Sequence, residues 1–558
     1  MFSALFALVV SLSPCGEADC GPVVREAVAR VRAAGGGEVR LAPGTYHVRS
    51  SEASWDYVSN HDNGLPRRVF LPLRGVTNLV LGCSGGRAEL VFHGLGVGIA
   101  VVDAKNAVLR GLGVGWARPY FGEARLVRFD AGRPVLSFDP ARFPMRVDGE
   151  GRLVAVGEGW EYVATYAQAF GADGRGCLGS RWFGGCRASA LGGGLFRLEE
   201  DWTGRFPRPL APGDALVVRS AARPAPAVFL YRADGATVED CAVRSAAGMG
   251  VLAQRCADVT VRGTGRAADA TAGAFARPGS GILTSLQADA THFSNCRGRV
   301  LVENCLFGGM VDDAANVHST CLQVESMPSP TNLLCRYRHP QSTGFEVFLP
   351  GERLRGIRAR TLEPSERTVA VRGVRRLAPD RVEILLDGPL PDGLGAGDAV
   401  ENADWQPEAV FRNNVVRGST PRAALFTTPG RVRVEGNLFE RVAAQAVHLS
   451  GDASDWFESG ACRDVLVRGN AFRDCLLVGG KGVVQIDPNV PEPAAQRRRY
   501  HRNVRIEGNA FEQSRGPLVY ARSVSNLVFR ANAVRGAGGI DAEQCEGVEA
   551  DGPGSGRE

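Results

Sequence analysis

One short pattern returns along this chain and narrows what it can fold into: two or three alternating apolar residues, a polar pair, Asn or Cys, then an apolar pair. It reads VLVENCLF at 300–307, AVFRNNVV at 409–416, VRVEGNLF at 432–439, VLVRGNAF at 465–472, VRIEGNAF at 504–511 and LVFRANAV at 527–534. Each copy is a short strand by its period-two alternation, closed by a turn. Asn414 and Asn437 are 23 residues apart, as are Asn509 and Asn532 and, in a weaker copy, Cys241 and Thr264. A fixed period of that length predicts a solenoid, an all-β, right-handed parallel β-helix whose strands pair with their counterparts one coil on. The repeated Asn, Cys and Phe positions then form internal ladders. The Asn amides are expected to satisfy turn backbone rather than to take part in chemistry.

Longer intervals mark excursions. Asn437 to Asn470 spans 33 residues, with the excess around GDASDWFESG (451–460). Asn470 to Asn509 spans 39, with the excess around 486–501. Loops grown on one face of a solenoid commonly build its binding site. Two stretches, 116–226 and 326–405, lack the repeat, alternate like antiparallel strands and end alike, LAPGDAL at 210–216 and LGAGDAV at 394–400. They are expected to be two inserted small β-barrel or sandwich modules. Residues 24–48 read as an amphipathic helix, a Gly-rich cap and a strand, covering the open end of the coil. The coils are therefore expected over 15–115, 227–325 and 406–545, with a flexible tail at 546–558.

Composition excludes several classes. The 71 Gly and 31 Pro among 558 residues suit many turns but carry no collagen period. The net charge is +5 and all basic residues except Lys105 and Lys481 are Arg, scattered without a basic stripe, so nucleic-acid binding is not expected. Fourteen Cys and the apolar run Met1–Leu12 resemble a secreted or periplasmic protein with a signal segment over 1–14. No later stretch is long and apolar enough to span a membrane. Metal catalysis is not expected: the eight His form no HxH or HExxH arrangement and the Cys no paired CxxC. Of the short Cys separations, 177 to 186, 296 to 305 and 462 to 475 leave disulfides open, but Cys305 stands at a ladder position and reads as a buried thiol.

The segment 286–320 holds more polar groups than a strand region needs for packing. Asp289 and Asp312 are 23 residues apart, which predicts equivalent positions on successive coils about 4.8 Å apart. Gly308-Gly309 permits a bend that turns Asp313 to the same surface. Three acids so close cannot all ionise readily, so one holds a proton beside a base, which is what glycoside hydrolysis requires. Turn capping or Ca²⁺ binding is the alternative. His292, Asn295, Asn316 and His318 share the patch, and Asp452, Trp456 and Glu458 in the 451–460 loop place an aromatic plate beside acceptors.

Taken in order, DATHFSNCRG (289–298), DDAANVH (312–318), FEVFLPGERLR (345–355), TTPGRVRVEGNLF (427–439) and GDASDWFESGACRDVLVRGNAF (451–472) resemble glycoside hydrolase family 110. That family comprises α-1,3-galactosidases acting on blood-group-B-type and related glycans, and the similarity covers most of the chain. The resemblance implies a metal-independent, cofactor-free, inverting enzyme with Asp312 as general acid and Asp289 and Asp313 positioning and deprotonating water. It nominates His292, Asn316, His318, Glu346, Arg422, Asp452, Trp456 and Glu458 to hold the galactose. Ser319 and Cys321 depart from the family pattern, which expects Gly and an aromatic residue there. The partner implied is an oligosaccharide or glycoconjugate with terminal α-galactose.

Two other readings stand beside this one. Polygalacturonases also pair adjacent Asp residues on this fold, but the Gly-His-Gly turn and Arg-Ile-Lys segment that hold a uronate are absent here. A non-catalytic glycan-binding β-helix would have no need of all three acids.

Overall fold

A computed structural model describes residues 8–54, 58–61, 67–174, 176–263, 274–275, 284–391, 393–418 and 421–551. Its organising feature is stacking. Thirteen strands, from Leu8–Leu12 to Glu546–Ala550, form one wholly parallel sheet along the molecule. A seven-stranded parallel sheet runs beside it, and a third ladder carries Thr291–Ser294, the start of Ala315–Ser329, Ala424–Thr427 and Val447–Leu449 in parallel register.

The repeat explains the stack. The Oδ1 of Asn437 accepts from the backbone N–H of Asn414 at 2.9 Å, and Asn470 and Asn509 do the same for Asn437 and Asn470. Their amide groups donate to carbonyls of the strands before them. Each buried turn is thereby satisfied by the next, as burial of backbone polar groups demands. Phe439, Phe472 and Phe511 stack inside with centroids 5.2 and 4.7 Å apart. Cys305 is a buried free thiol whose backbone N–H donates to Asn414. The other Cys pairs left open by spacing are free as well, and Cys15–Cys20 forms a disulfide. Thr264, the end of the weaker repeat, lies outside the described residues.

The helix expected near the N-terminus spans Gly21–Ala33 and buries Val24, Ala27, Val28 and Val31 against the first coils. The two insertions differ from each other. The first is an open seven-stranded antiparallel sheet with a three-stranded meander. The second closes: Ala315–Ser329, Asn332–Arg336, Arg381–Leu386, Pro364–Ala378, Arg353–Ile357 and Ala399–Asn402 pair in that order and return to the first strand. The shared motif makes the same turn in both. Asp214 accepts from the N–H of Ala211, and Asp398 from that of Gly395.

Two boundaries and one register change. The barrel does not begin at 326, because Ala315–Ser329 is a coil strand at one end and a barrel strand at the other. Glu546–Ala550 is no flexible tail but the last strand of the long sheet, its weak pattern reflecting one exposed edge. Leu8–Leu12, within the apolar run, is the strand at the other end. Finally, the coil carrying the acids has 24 residues, pairing Leu286 with Met310 and Thr291 with Ala315, so Asp289 comes level with Asp313 rather than Asp312.

Candidate active site

Three successive turns of the third ladder deliver the charged groups. The turn before Thr291 carries Asp289, the one before Ala315 carries Asp312 and Asp313, and the one before Ala424 carries Arg422. Alternation then sorts the strands that follow. Phe293, Val317 and Phe426 enter the core, while His292, Asn316 and Leu425, in register with one another, face outward and line a cavity of about 170 Å³. Gly309, with φ 73°, supplies the bend expected before the acid pair.

Each of the three aspartates offers an oxygen within 4.8 Å of the others. Asp312 meets Arg223 at 2.5 Å and Arg422 at 3.8 Å, and Arg422 also donates to Asp313 at 2.9 Å. Asp313 is fully buried and its other oxygen has no hydrogen-bond partner. Burial raises the Asp289 carboxyl to about 8, with the charge of Asp312 adding to the effect. Burial likewise pushes Asp313 well up, opposed by Arg422. The two guanidiniums balance two carboxylate charges, so the cluster as a whole is neutral when the third carboxyl is protonated. Among the described residues this is the group whose spacing would suit a cation, but Arg223 and Arg422 already bring positive charge to it.

Behind the acids runs a buried hydrogen-bonded chain. Asp289 Oδ2 lies 2.6 Å from His292 Nδ1, and His292 Nε2 lies 2.8 Å from His318 Nε2. His318 Nδ1 donates to the Ser319 carbonyl at 3.1 Å. Glu458 Oε1 is 3.6 Å from His318 Nε2. Burial holds His292 well below the usual imidazole range, and neighbouring His318 lowers it further.

The other nominated residues divide. Asn316 lines the cavity with its Oδ1 unpartnered, ready for a hydroxyl, and Glu458 and Arg422 line it too. Trp456 is 40% exposed at the rim. Asp452 lines the cavity, but its oxygens accept from the N–H groups of Ser454, Asp455 and Phe457 and so hold the loop in shape. His318 is buried behind His292 and does not reach the cavity. Glu346 falls elsewhere: it pairs with Tyr231 and Arg232 in a separate cleft of about 420 Å³. Asn295 accepts from the Thr320 N–H and is structural. Cys321 packs beneath the 451–460 loop, its thiol against the carbonyls of Asp452 and Phe457.

Sequence reasoning missed Arg223, Asn60, Met249, Gln341 and Asn489, all of which line the cavity. No local signal marks Arg223, one of 63 Arg, 89 residues from its partner. Gln341 comes from the inserted barrel, which no solenoid pattern reaches.

This assembly of acids can be set beside known proteins. The chain is 39% identical to "Alpha-1,3-galactosidase B" of Akkermansia muciniphila over 92% of its length, and spans 64% of that relative. It is 33% identical to "Alpha-1,3-galactosidase B" of Parabacteroides distasonis over 94% of its length and 87% of that protein. The chain belongs to the alpha-1,3-galactosidase family. A family model described as GLAA-B beta-barrel domain II matches residues 332–400, most of the closed barrel. Solved structures are far more distant. A Yersinia enterocolitica family 28 exopolygalacturonase covers 97% of this chain and 78% of its own at 11% identity and TM-score 0.40. The Streptococcus pneumoniae surface protein and adhesin PfbA covers 97% and 98% at 9% identity and TM-score 0.41. Likeness that loose says nothing of chemistry.

Proposed function

We propose that this protein is an exo-acting glycoside hydrolase releasing terminal α-1,3-linked galactose from blood-group-B-type or linear α-galactosyl glycans. The observation that carries the proposal is the cluster of Asp289, Asp312 and Asp313, compensated by two arginines, with Asp289 and Asp312 lining a cavity on the scale of one sugar ring and Asp313 fully buried beside them. The choice of sugar and linkage is supported by the names of the relatives. A cavity this small suits a chain end rather than the middle of a polysaccharide. We take the coil as right-handed, the sense in about 98% of parallel crossovers.

In the inverting course that the resemblance implies, Asp312 gives a proton to the glycosidic oxygen. It is the most exposed of the three acids, with 15% of its side chain accessible, and it borders the cavity. Asp289 and Asp313 hold and deprotonate the attacking water. Asn316, Glu458 and Arg422 orient hydroxyls, and Trp456 covers an apolar sugar face.

One observation favours a second course. The acids lie closer than the roughly 6.5–9.5 Å usual for inversion and nearer the roughly 5–5.5 Å of retaining pairs. In that course Asp312, flanked by arginines, attacks the anomeric carbon and Asp289 is the acid. Proton NMR of galactose released from galactosyl-α-1,3-galactose separates them. β-Galactose appearing first supports inversion, and α-galactose first establishes retention. No release at all, with galactose still bound, would mean a glycan-binding protein.

A further inference from the structure

Two contacts in the buried chain allow little choice of proton. The Ser319 carbonyl only accepts, so the proton between it and His318 sits on Nδ1. The 2.8 Å contact between the two Nε2 atoms holds a single proton. With neutral His318 that proton belongs to His292, whose Nδ1 is then bare and can only accept, so Asp289 is a carboxylic acid with its hydrogen on Oδ2. Apart from a His292 imidazolium beside an Asp289 carboxylate, which burial and neighbouring His318 disfavour, the same three protons fit one other arrangement, in which Asp289 is a carboxylate, His292 carries hydrogen on Nδ1, and His318 is an imidazolium. Moving between the two shifts one proton from Oδ2 to His292 Nδ1 and one from His292 Nε2 to His318 Nε2. Nothing else is gained or lost.

Resting on the hydrolase reading above, we propose that His318 is the proton store of this site, a positioning residue that lets buried Asp289 act as a base. When Asp289 takes a proton from water through its other oxygen, the proton on Oδ2 passes along His292 and comes to rest on His318. The oxygen–hydrogen bond of water breaks, one forms at Asp289, and the Oδ2–H and His292 Nε2–H bonds are replaced by His292 Nδ1–H and His318 Nε2–H. The imidazolium so formed lies 3.6 Å from the Glu458 carboxylate at the cavity wall, which favours it and leads the proton back towards solvent. The charged groups facing Asp289 are Asp312, Asp313, Arg223, Arg422 and Glu458, and burial, the largest influence, together with the charge of Asp312 outweighs the two arginines and raises its carboxyl.

Two variants distinguish a proton store from a mere hydrogen-bond anchor. In His318→Gln the amide oxygen still accepts from His292 but cannot be protonated, whereas His318→Phe removes the contact. Both are expected to lose at least tenfold in kcat with KM little changed, and to regain rate as the pH rises towards 8. Wild-type rate and pH profile in His318→Gln would overturn the proposal. Nitrogen-15 NMR of the unsubstituted protein tests the direction of the chain without any variant: His318 should carry hydrogen on Nδ1, and a bare Nδ1 overturns it. That spectrum stands whether or not the protein cleaves α-galactosides, whereas lack of turnover by the unsubstituted protein sinks the hydrolase reading alone.

Discussion

Trp456 stacks on His339 with ring centroids 3.9 Å apart and planes 24° from parallel. The first belongs to a coil loop and the second to the inserted barrel, so the aromatic plate at the cavity rim is braced from another module. Gln341, two residues on, lines the same cavity, and its carbonyl accepts from the N–H of Asn60 at 2.6 Å.

Removing that brace should loosen substrate rather than slow chemistry. An aromatic pair contributes about 0.5–1.5 kcal/mol, so His339→Ala is expected to raise KM roughly two- to tenfold with kcat nearly unchanged. His339→Phe should restore KM. Steady-state kinetics on an α-1,3-galactoside decide it, and an equal fall in kcat would contradict a purely bracing role.

Asp312→Asn should lower turnover of glycan substrates by a factor on the order of 10² to 10⁴, the range of general acid catalysis. A galactosyl fluoride needs no protonation to leave and should lose far less. Equal losses on both substrates would move Asp312 from acid to nucleophile.

The elevated Asp289 carboxyl also predicts how stability changes with pH. Unfolded, it titrates near 3.8, and folded, near 8, so between these values the native state keeps a proton that the unfolded chain has released. Its stabilising contribution is therefore complete below about pH 4 and is lost as the pH rises through 8. Thermal unfolding at pH 5 and pH 8 should show a larger drop for the natural protein than for Asp289→Asn. Identical drops would mean that the carboxyl is not protonated in the fold.

Asn470→Ala removes the acceptor for the Asn437 N–H and the donor to the Val434 carbonyl, both buried. Each orphaned group costs roughly 1–3 kcal/mol. A fall in denaturation midpoint is expected with kcat unchanged, since the ladder lies away from the cavity. A midpoint within error of the natural protein would show that water replaces the amide.

The coil was readable because its inward residues repeat: Asn437, Asn470 and Asn509 do the same job three times and so leave a period in the sequence. The acid cluster was readable for a related reason, since Asp312 follows Asp289 by one 23-residue period and Asp313 is its neighbour, although it is Asp313 that comes level with Asp289. The extra residue in that coil was not, because a shift of one in a turn leaves the alternation of the strands intact. Glu346 looked like a sugar ligand in its local segment, but its partners Tyr231 and Arg232 lie more than a hundred residues away. Arg223 is the converse case, a residue without any local mark that the first insertion brings back to Asp312. Pairings across such distances are set by how the modules dock, and no period records that.

The 15-residue strand Ala315–Ser329 runs without interruption from Asn316 and His318 into the wall of the closed barrel. At about 3.3 Å per residue it is a bar some 50 Å long, hydrogen-bonded to the coil at one end and to the barrel at the other. The barrel therefore cannot be exchanged between relatives as a cassette cut at residue 326 without severing a strand that both modules share. Anyone grafting a foreign barrel to change which glycans enter would have to splice within this strand beyond His318, or carry the histidine along with it.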